Sequence, residues 1–382
     1  MTDSNTKSSE IGKSNSDIFV LFSGHNDRAI IALCRYFAVN DFKFVVVCSS
    51  ESNLITKTDW STNCFISRID KNLDLKLFEV VANALQVKYG KSVRLIYCPT
   101  SEFMNFFVLR ERKLLSKIGW IITLPSVEIY KSLTSKILSQ KLVDQLIGLK
   151  SPEELSWDEI KVPCVIKPRL NVNDGTVYYP KLCQTESELN EALAAIEPEN
   201  WFPQAWVEGQ SYYLCAYIAK TGESTHFWQE NLLQQSGGKS IVLARATTNP
   251  GVEVSYLFKG LIEVGFNGPF MMEVIRNQLG IFHYIEINPR FWGPLQLALD
   301  VCPEIIHLFV NDAVVNQYHD NTKNTMLQKQ DGWYAWEYGA QSVQCKKYPA
   351  AFDVEKLQSL DSLVNKWDVY NKKDTQLIHG IY

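Results

Sequence analysis

The sequence predicts a chain of mixed α/β and α+β class, in which a parallel, doubly wound sheet precedes a larger mixed region. Near the amino end, short apolar runs alternate with segments of helical periodicity, which is the order that a parallel sheet requires. Farther along, two apolar runs flank the turn-prone stretch 277–280 and indicate an antiparallel hairpin. The 382 residues exceed what one hydrophobic core usually serves, so we expect two or three packed units.

The amino-terminal sheet is predicted from three buried strands with helices between them. The strands are expected at 17–22, 42–48 and 93–98, and the helices at 27–39 and 73–89. Gly24 is the only glycine in the first strand–helix turn, so the glycine-rich dinucleotide fingerprint is not satisfied. A nicotinamide cofactor is therefore unsupported. Ligands of doubly wound sheets lie beyond the carboxyl ends of the strands. The turn 23–27 is therefore either a ligand-binding turn or an ordinary one.

The rest of the chain is predicted to combine helices with antiparallel strands. Helical periodicity and end signals predict helices at 128–147, 186–196, 253–265, 294–299 and 304–316. Strands are expected at 162–169, 212–218 and 223–231, and a packed aromatic strand is expected around Trp333, Tyr334, Trp336 and Tyr338.

Composition and charge exclude several classes of protein. An apolar content of 46% is ample for large cores, and a net charge of −4 without a basic block argues against nucleic acid as a partner. The nine cysteines are scattered without a C-x-x-C pair, which argues against zinc or a disulfide framework and predicts reduced, buried thiols. Residues 1–16 are polar and predicted to be disordered. No apolar run is long enough for a membrane span, and we expect a cytoplasmic protein.

The predicted hairpin between 270 and 293 has one apolar and one acidic face. An antiparallel register with an even-length loop places Glu273 with Tyr284, Glu286 and Asn288. The opposite face would carry Met272, Val274, Ile285 and Ile287. Two unpaired carboxylates about 4 Å apart repel by roughly 4 kcal/mol at an effective dielectric of 20, and a cation relieves that repulsion. Two carboxylates and an amide suit Mg²⁺, whereas a solvated outer face is the alternative interpretation.

The string Glu286-x-Asn288-Pro289-Arg290-Phe291-Trp292-Gly293, preceded by Glu273, resembles the metal-binding hairpin of the ATP-grasp superfamily. The resemblance is to the subgroup of carbamoyl-phosphate synthase large chains and D-aspartate ligases, and it spans roughly residues 17–315. It implies an amino-terminal Rossmann-like pre-ATP-grasp domain followed by a two-subdomain ATP-grasp fold. The expected divisions are a disordered 1–16, the leading domain 17–125, subdomains 126–205 and 206–315, and an extension 316–382.

The resemblance also implies roles for individual residues of the hairpin and two lysines. Glu273, Glu286 and Asn288 would hold Mg²⁺, or Mn²⁺, against the phosphates of ATP, and Arg290 would steady the transferring charge. Lys136 matches the first nucleotide lysine of the family, with Lys131 and Lys141 as ordinary alternatives on the same stretch. Lys167 ends a buried strand directly before a proline, where its ammonium can extend toward phosphate oxygens.

The stretch Trp201 to Gly209 resembles the hinge between the two ATP-grasp subdomains, and it implies an adenine site. The residues assigned to the nucleotide there are Gln204, Ala205, Trp206, Val207 and Gln210. In the family an acid usually takes the ribose hydroxyls just after the glycine, whereas Gln210 and Ser211 stand at those places here, with Glu208 as an alternative. The family's glycine-rich phosphate flap is replaced at 170–176 by a segment with one glycine, Gly175.

A glycine pair and a following basic strand lie near the acceptor substrate in the resembling subgroup. Gly237, Gly238 and Arg245 occupy those positions here, and Arg245 is either a carboxylate-binding residue or an ordinary paired arginine. The neighbouring Gly-Gly-Lys-Ser string is not a Walker A motif, because Leu233 stands where that motif requires glycine.

The resemblance implies an ATP-dependent ligase that joins a small carboxylate to an amine through an acyl phosphate. One alternative is an ATP-binding protein of the same fold with lost or weak turnover, which the sparse flap and the missing ribose acid favour. Another is a carboxylase-like or carbamoylase-like enzyme that uses carboxyphosphate. We expect small-molecule substrates, no nucleic acid and no membrane as partners, and the sequence leaves a homodimer open.

Overall fold

The computed structural model describes residues 17–67, 73–173, 176–314 and 331–379, so the predicted disordered segment 1–16 lies outside the described residues. The described residues form sheets of five, three, seven and two strands. Within them, no helix is long and apolar enough to cross a membrane. All nine cysteines are free, as predicted, and seven of them are buried.

The amino-terminal part is a five-stranded sheet in the order β3-β2-β1-β4-β5, with every pair parallel. Its elements are β1 Asp17–Phe22, α1 Asp27–Val39, β2 Phe44–Cys48, β3 Cys64–Ser67, α2 Leu75–Tyr89, β4 Arg94–Tyr97, α3 Glu102–Arg110, α4 Arg112–Lys117 and β5 Trp120–Ile122. The predicted parallel sheet is confirmed. The short strands β3 and β5 were not predicted, because each offers only three or four residues of apolar pattern.

A helical pair and two small sheets follow. Their elements are α5 Val127–Thr134, α6 Lys136–Ile147, β6 Cys164–Pro168, β7 Val172–Asn173, β8 Thr176–Val177, β9 Lys181–Cys183, α7 Glu186–Ala194 and β10 Trp201–Ala205. The helix predicted over 128–147 is broken at Ser135, whose extended backbone ends α5 and whose hydroxyl accepts from the Leu138 N–H to cap α6. This break starts α6 at Lys136. Strands β10, β6 and β9 pair side by side, and β7 pairs with β8.

The largest sheet is antiparallel and carries the predicted hairpin. Its elements and flanking helices are β11 Gly209–Ile218, β12 Ser224–Gln235, β13 Ile241–Thr247, α8 Ser255–Glu263, β14 Gly268–Asn277, β15 Phe282–Asn288, α9 Leu295–Val301 and α10 Glu304–Val314. The strand order is β15-β14-β11-β12-β13-β16, with β17 beside β12. The hairpin turn at 277–280 is confirmed, with the Gly280 N–H donating to the Asn277 carbonyl over 2.9 Å.

The predicted register of the hairpin is correct at the acids and wrong at two neighbours. Glu273 lies directly opposite Glu286, but Val274 lies opposite Tyr284, because Ile285 forms a bulge. Tyr284 therefore packs in the core, where its hydroxyl donates to Ser139 over 2.8 Å, instead of sharing the acidic face. Ile285 turns toward the acidic side and not toward the core.

The carboxyl-terminal residues extend the same sheet. They form β16 Trp333–Ala335, α11 Glu337–Ser342, β17 Cys345–Lys347, α12 Pro349–Glu355, α13 Leu360–Trp367 and α14 Gln376–His379. The predicted aromatic strand is thus shorter than 333–338, since α11 begins at Glu337. Short 3₁₀ helices occur at Leu54–Lys57, Ser61–Asn63, Pro198–Asn200 and Lys373–Thr375.

A buried arginine joins the carboxyl-terminal residues to the amino-terminal sheet. Arg35 of α1 donates to Asp374 over 2.7 Å, and it also donates to the Val369 carbonyl and the Thr375 hydroxyl. The packing of residues 331–379 on the large sheet and on α1 makes them an integral part of the described fold. The domain boundaries near 125, 205 and 315 stay predictions.

Candidate functional site

One cavity of about 580 Å³ lies where the amino-terminal part, the small sheets and the large sheet meet, and its size is typical of a small-molecule site. Its walls come from the turns after β1 and β4, from the small sheets, from the acidic side of the hairpin and from β17. The predicted site residues that line it are Lys167, Gln204, Ala205, Trp206, Val207, Glu273, Glu286, Asn288 and Arg290. Folding thus brings together predicted residues from distant parts of the sequence.

The acidic face of the hairpin is held by hydrogen bonds from neighbouring residues. Glu286 accepts from the Lys136 ammonium over 2.9 Å and from the Asn288 amide over 2.7 Å. Glu273 is buried and accepts from the Ser211 hydroxyl over 2.7 Å. Because Lys136 is the first residue of α6, the break at Ser135 places its ammonium against this face.

The two carboxylates have opposite pKa shifts. Burial raises the pKa of Glu273 to about 7, and the negative charge of Glu286 adds to the shift. Burial acts to raise the pKa of Glu286 as well, but the charge and hydrogen bond of Lys136 outweigh it, so that the pKa of Glu286 is about 2. One acid is therefore neutralised by a lysine, and the other is buried without a cation at hydrogen-bond distance among the described residues.

These residues fit a divalent cation such as Mg²⁺. Two carboxylates stand opposite one another on the cavity wall, with an amide two residues beyond the second. The amide nitrogen of Asn288 donates to Glu286, which leaves its oxygen as a further hard ligand. A cation here would offset the repulsion that helps to raise the pKa of Glu273. The assignment of Mg²⁺ or Mn²⁺ to Glu273, Glu286 and Asn288 stays a prediction.

Glu273→Gln is expected to stabilise the metal-free protein at neutral and higher pH. Between pH 4.5 and about 7 the folded chain keeps a proton on Glu273 that the unfolded chain has released, so the free energy of unfolding falls across this window. The loss is on the order of 3 kcal/mol above the window. The glutamine side chain of the variant cannot ionise, so the variant should lack this decline.

Denaturant unfolding in the presence of a chelator, at about pH 5 and about pH 8, measures the effect. The matched control is Glu286→Gln, for which the pKa shift has the opposite sign. In Glu286→Gln the free energy of unfolding should still fall between the two pH values by most of the wild-type amount, because burial is the larger cause of the raised pKa of Glu273. An equal decline in the wild type and in Glu273→Gln would contradict the prediction.

Two buried lysines lie beside the acids. The Lys167 ammonium donates to the Ile285 carbonyl over 3.4 Å, and burial together with the charge of Lys136 lowers the pKa of Lys167 to about 8. Two like charges in a buried site favour an anion between them. The alternatives Lys131 and Lys141 are exposed and do not line the cavity.

The predicted hinge provides an apolar slot with free backbone donors. The Gln204 amide donates to the Pro152 carbonyl over 2.9 Å, and the Ala205 N–H donates to the Glu153 carbonyl. Within the described residues, the backbone N–H groups of Trp206 and Val207 have no acceptor. Apolar side chains complete the slot, namely Val165, Ile275 and Ile285. A planar heterocycle with a polar edge fits these surroundings.

Three predicted site residues do not line the cavity: Lys136, which pairs with Glu286, and also Gln210 and Arg245. The Gln210 amide donates to the Asn231 carbonyl over 2.6 Å and its oxygen accepts from the Ala350 N–H, so its polar atoms are used within the fold. Arg245 pairs with Glu230 over 2.7 Å and stands 5.7 Å from the Trp333 ring centroid. This geometry agrees with the alternative interpretation, in which Arg245 is an ordinary paired arginine.

Described residues on both sides of positions 174–175 in the flap region contribute to the cavity wall. Asn171, Val172 and Val177 line the cavity, and β7 pairs with β8 to form the two-stranded sheet. Gly175, the one glycine of this segment, lies outside the described residues.

Sequence reasoning missed four charged residues that line the cavity, namely Arg28, Glu102, Lys346 and Lys239 of the Gly-Gly-Lys-Ser string. Arg28 follows β1 and Glu102 follows β4, at the carboxyl ends of parallel strands where ligands are expected. Lys346 lies on β17, and its ammonium stands 4.9 Å from the ring centroids of both Trp206 and Tyr348. The strand-end rule could have indicated Arg28 and Glu102. No local signal marked Lys346, because it arrives through sheet pairing with β12.

Comparison with known proteins finds similarity of structure and not of sequence. No family model matches the chain, and no curated protein matches it. A solved structure of the biotin carboxylase domain dimer of 2-oxoglutarate carboxylase from Hydrogenobacter thermophilus, with MgADP, ADP and bicarbonate, matches with a TM-score of 0.58 at 13% identity. The match covers 84% of this chain and 72% of that chain.

Two further solved structures, both with ADP, are an N5-carboxyaminoimidazole ribonucleotide synthetase and an N5-carboxyaminoimidazole synthetase from Staphylococcus aureus. One matches with a TM-score of 0.59 at 12% identity over 91% of this chain and 98% of that chain. The Staphylococcus aureus protein matches with a TM-score of 0.55 at 17% identity over 80% of this chain and 79% of that chain. The chain therefore has the ATP-grasp architecture, and the predicted fold class is confirmed. The predicted subgroup stays a prediction.

Proposed function

We propose that this chain is an ATP-dependent ligase that phosphorylates a small carboxylate and transfers the acyl group to an amine. The observation that carries the proposal is the convergence of an acidic hairpin, Lys167 and Arg290 on one cavity that also contains an apolar slot, with the Lys136 ammonium bonded to Glu286 of that hairpin. These are the groups that phosphoryl transfer needs, since catalysis there consists largely of positioning and charge stabilisation. ADP is present in the three solved structures described above, which supports ATP as the nucleotide.

In this proposal the base and the phosphates of ATP occupy different parts of the cavity. The slot formed by Val165, Ile275 and Ile285 would hold the adenine ring, with the backbone donors of the hinge at its edge. Lys167 and Lys136 would neutralise phosphate oxygens. When bound by the two acids and the amide of the hairpin, Mg²⁺ would supply Lewis-acid charge to the β- and γ-phosphates.

The reaction begins with attack of the substrate carboxylate on the γ-phosphorus, which gives an acyl phosphate and ADP. Arg290 lines the cavity two residues after Asn288, and its Nη1 donates to the Phe291 carbonyl over 3.1 Å. The remaining donors of its guanidinium are available to the transferring group. The neutral amine then attacks the acyl carbon to form the amide bond, the bond to phosphate breaks, and the nitrogen releases a proton.

Trapping with hydroxylamine tests the proposal. ATP and Mg²⁺ alone should give slow ADP release, whereas the correct carboxylate from a panel should accelerate it, because the phosphoryl acceptor must be in line. Hydroxylamine should then convert the acyl phosphate to a hydroxamate. Tight binding of Mg-ATP without ADP release across a broad panel of carboxylates and amines would instead support a binding protein with lost turnover.

A second candidate is transfer through carboxyphosphate, with bicarbonate as the carboxylate. The observation that favours it is the bicarbonate in the structure of the 2-oxoglutarate carboxylase domain. Bicarbonate belongs in the same panel, and ADP release that depends on bicarbonate without formation of a hydroxamate would favour this candidate.

Lys167→Ala is expected to weaken Mg-ATP binding by about tenfold or more. The variant loses a buried ammonium that we assign to the phosphates and that donates to a backbone carbonyl in the protein. Titration calorimetry measures the affinity. Lys141→Ala removes an exposed lysine of α6 and serves as the matched control. Equal affinities for the wild type and Lys167→Ala would remove Lys167 from the nucleotide site.

A further inference from the structure

Arg28 brings a buried positive charge to the cavity without a carboxylate partner. Its guanidinium donates to the Ile241 carbonyl over 3.2 Å, to the Tyr334 hydroxyl over 3.1 Å and to the Ser240 hydroxyl over 2.8 Å. It also stacks 3.9 Å from the Trp336 ring centroid. These partners fix the guanidinium plane, and all of them are neutral. Among the described residues no carboxylate forms an ion pair with Arg28.

The neighbouring acid does not compensate this charge by direct bonding. Asp27 accepts from the Gly24 N–H over 3.0 Å and from the Asn53 amide over 3.3 Å, so its oxygens are engaged on the other side of the turn. A buried guanidinium with only neutral partners favours an anion from the cavity.

Glu102 supplies the opposite charge. It is the first residue of α3, is 8% exposed and lines the cavity. Its Oε1 atom is buried and has no hydrogen-bond partner among the described residues. Burial raises the pKa of Glu102, and the positive charges of Arg290 and Lys136, together with a hydrogen bond between Asn171 and the carboxyl group, act against that shift. An unpaired, buried acceptor of this kind is suited to N–H donors of a ligand.

Both groups belong to the same end of the cavity. The Asn26 amide donates to the Thr100 carbonyl over 3.2 Å and to the Phe291 carbonyl over 3.0 Å, which ties the turn before Arg28 to the turn before Glu102. A Cβ atom at Gly293 would lie 2.8 Å from the Arg28 guanidinium. Glycine at this position therefore leaves the room that Arg28 occupies.

We propose that the amine substrate is an amino acid, whose carboxylate binds Arg28 and whose ammonium binds Glu102. The inference rests on the proposed ligase function and deepens it. The charges of Arg290 and Lys136 both shift the pKa of Glu102, so an amino group held there lies near the groups assigned to the acyl phosphate. The bound ammonium must release a proton before the nitrogen can attack the acyl carbon. The carboxylate at Arg28 is then a recognition group and is not the one that becomes activated.

Binding measurements on the full chain test the inference without any turnover. The protein is loaded with Mg²⁺ and a nonhydrolysable ATP analogue and is titrated with a panel of L- and D-amino acids. Each amino acid that binds is compared with its amide, which lacks the carboxylate charge, and with the carboxylic acid that lacks the amino group. For the wild type, both analogues should bind about 10- to 100-fold more weakly.

Two variants assign the contacts. Arg28→Met should bind the amino acid and its amide equally, whereas Glu102→Gln should bind the amino acid and the acid without the amino group equally. If Arg28→Met does not fold, Arg28→Lys keeps the charge and should reduce discrimination against the amide, since lysine lacks the planar fork of donors. Arg35→Lys is the matched control, because Arg35 is buried, pairs with Asp374 and does not line the cavity. This control should retain the discrimination of the wild type.

Two results would overturn the inference: no amino acid binds at millimolar concentrations, or the amide binds the wild type as tightly as the amino acid does. Failure of the ligase proposal gives a different result. If a carboxylate is trapped as a hydroxamate but no amino acid binds, the ligase function stands and the inference fails. If an amino acid binds with the expected discrimination but no ADP forms with any carboxylate, the subsite stands and the ligase function fails.

Discussion

Glu286→Gln is expected to lower turnover by about a thousandfold or more while the chain remains folded. The change keeps the shape of the side chain and removes one charge from the face that would bind Mg²⁺. Loss of that charge weakens the stabilisation of the phosphates in the transition state, which is worth several kcal/mol, and each 1.36 kcal/mol is about a factor of ten in rate. Release of ADP in the presence of the activating carboxylate measures the effect.

Glu286→Gln is also expected to change the free energy of unfolding. Relief of repulsion between the two acids is a reason to expect a more stable metal-free protein. However, Glu286 pairs with the buried Lys136, so its replacement leaves an ammonium with a neutral acceptor. We expect a loss of about 1–3 kcal/mol in the free energy of unfolding. Of the two variants, Glu273→Gln is the one that we expect to be stabilised by relief of the repulsion between the acids.

Glu230→Gln is the matched control for Glu286→Gln. Glu230 is a buried acid that pairs with Arg245 over 2.7 Å, and it does not line the cavity. This control should lose stability without a comparable loss of turnover. Wild-type activity in Glu286→Gln, or an unfolded Glu286→Gln protein, would make Glu286 a structural residue and remove the metal assignment.

The parts of the site that depend on neighbouring residues could be predicted from the sequence. The hairpin is predictable because its turn and its two apolar runs lie within one short stretch. The direct opposition of Glu273 and Glu286 is not set by that turn, because without the bulge Glu273 would lie opposite Ile285. The bulge at Ile285 is not predictable, since no local residue marks where a strand gains one residue. For this reason, the predicted face of Tyr284 is wrong.

The parts of the site that depend on distant contacts could not be predicted in this way. Arg28 is oriented by Tyr334 and Ser240, more than 200 positions away, and the free acceptor of Glu102 becomes visible only when the surrounding walls are in place. Lys346 enters the cavity because β17 pairs with β12. For Gln210, the family position suggested a nucleotide contact, but the hydrogen bonds within the fold use its amide.

Arg290→Ala is expected to reduce hydroxamate formation by about 10²- to 10³-fold, which corresponds to roughly 2.7–4 kcal/mol if this arginine acts as a preorganised donor toward developing charge. The affinity for Mg-ATP should change much less, because Lys136 and Lys167 remain in place. The physical reason is that the contribution of Arg290 is expected mainly in the transition state, so its loss lowers kcat and kcat/KM together.

The two quantities are measured on the same protein preparation, with hydroxamate formation at saturating carboxylate and titration calorimetry for Mg-ATP. Arg290→Lys separates charge from geometry, since it keeps the positive charge without the planar set of donors. Partial activity in Arg290→Lys with little activity in Arg290→Ala would show that both properties contribute. Equal losses of ATP affinity and of hydroxamate formation in Arg290→Ala would instead make Arg290 a ground-state phosphate ligand, and the assignment of Arg290 to the transferring group would be wrong.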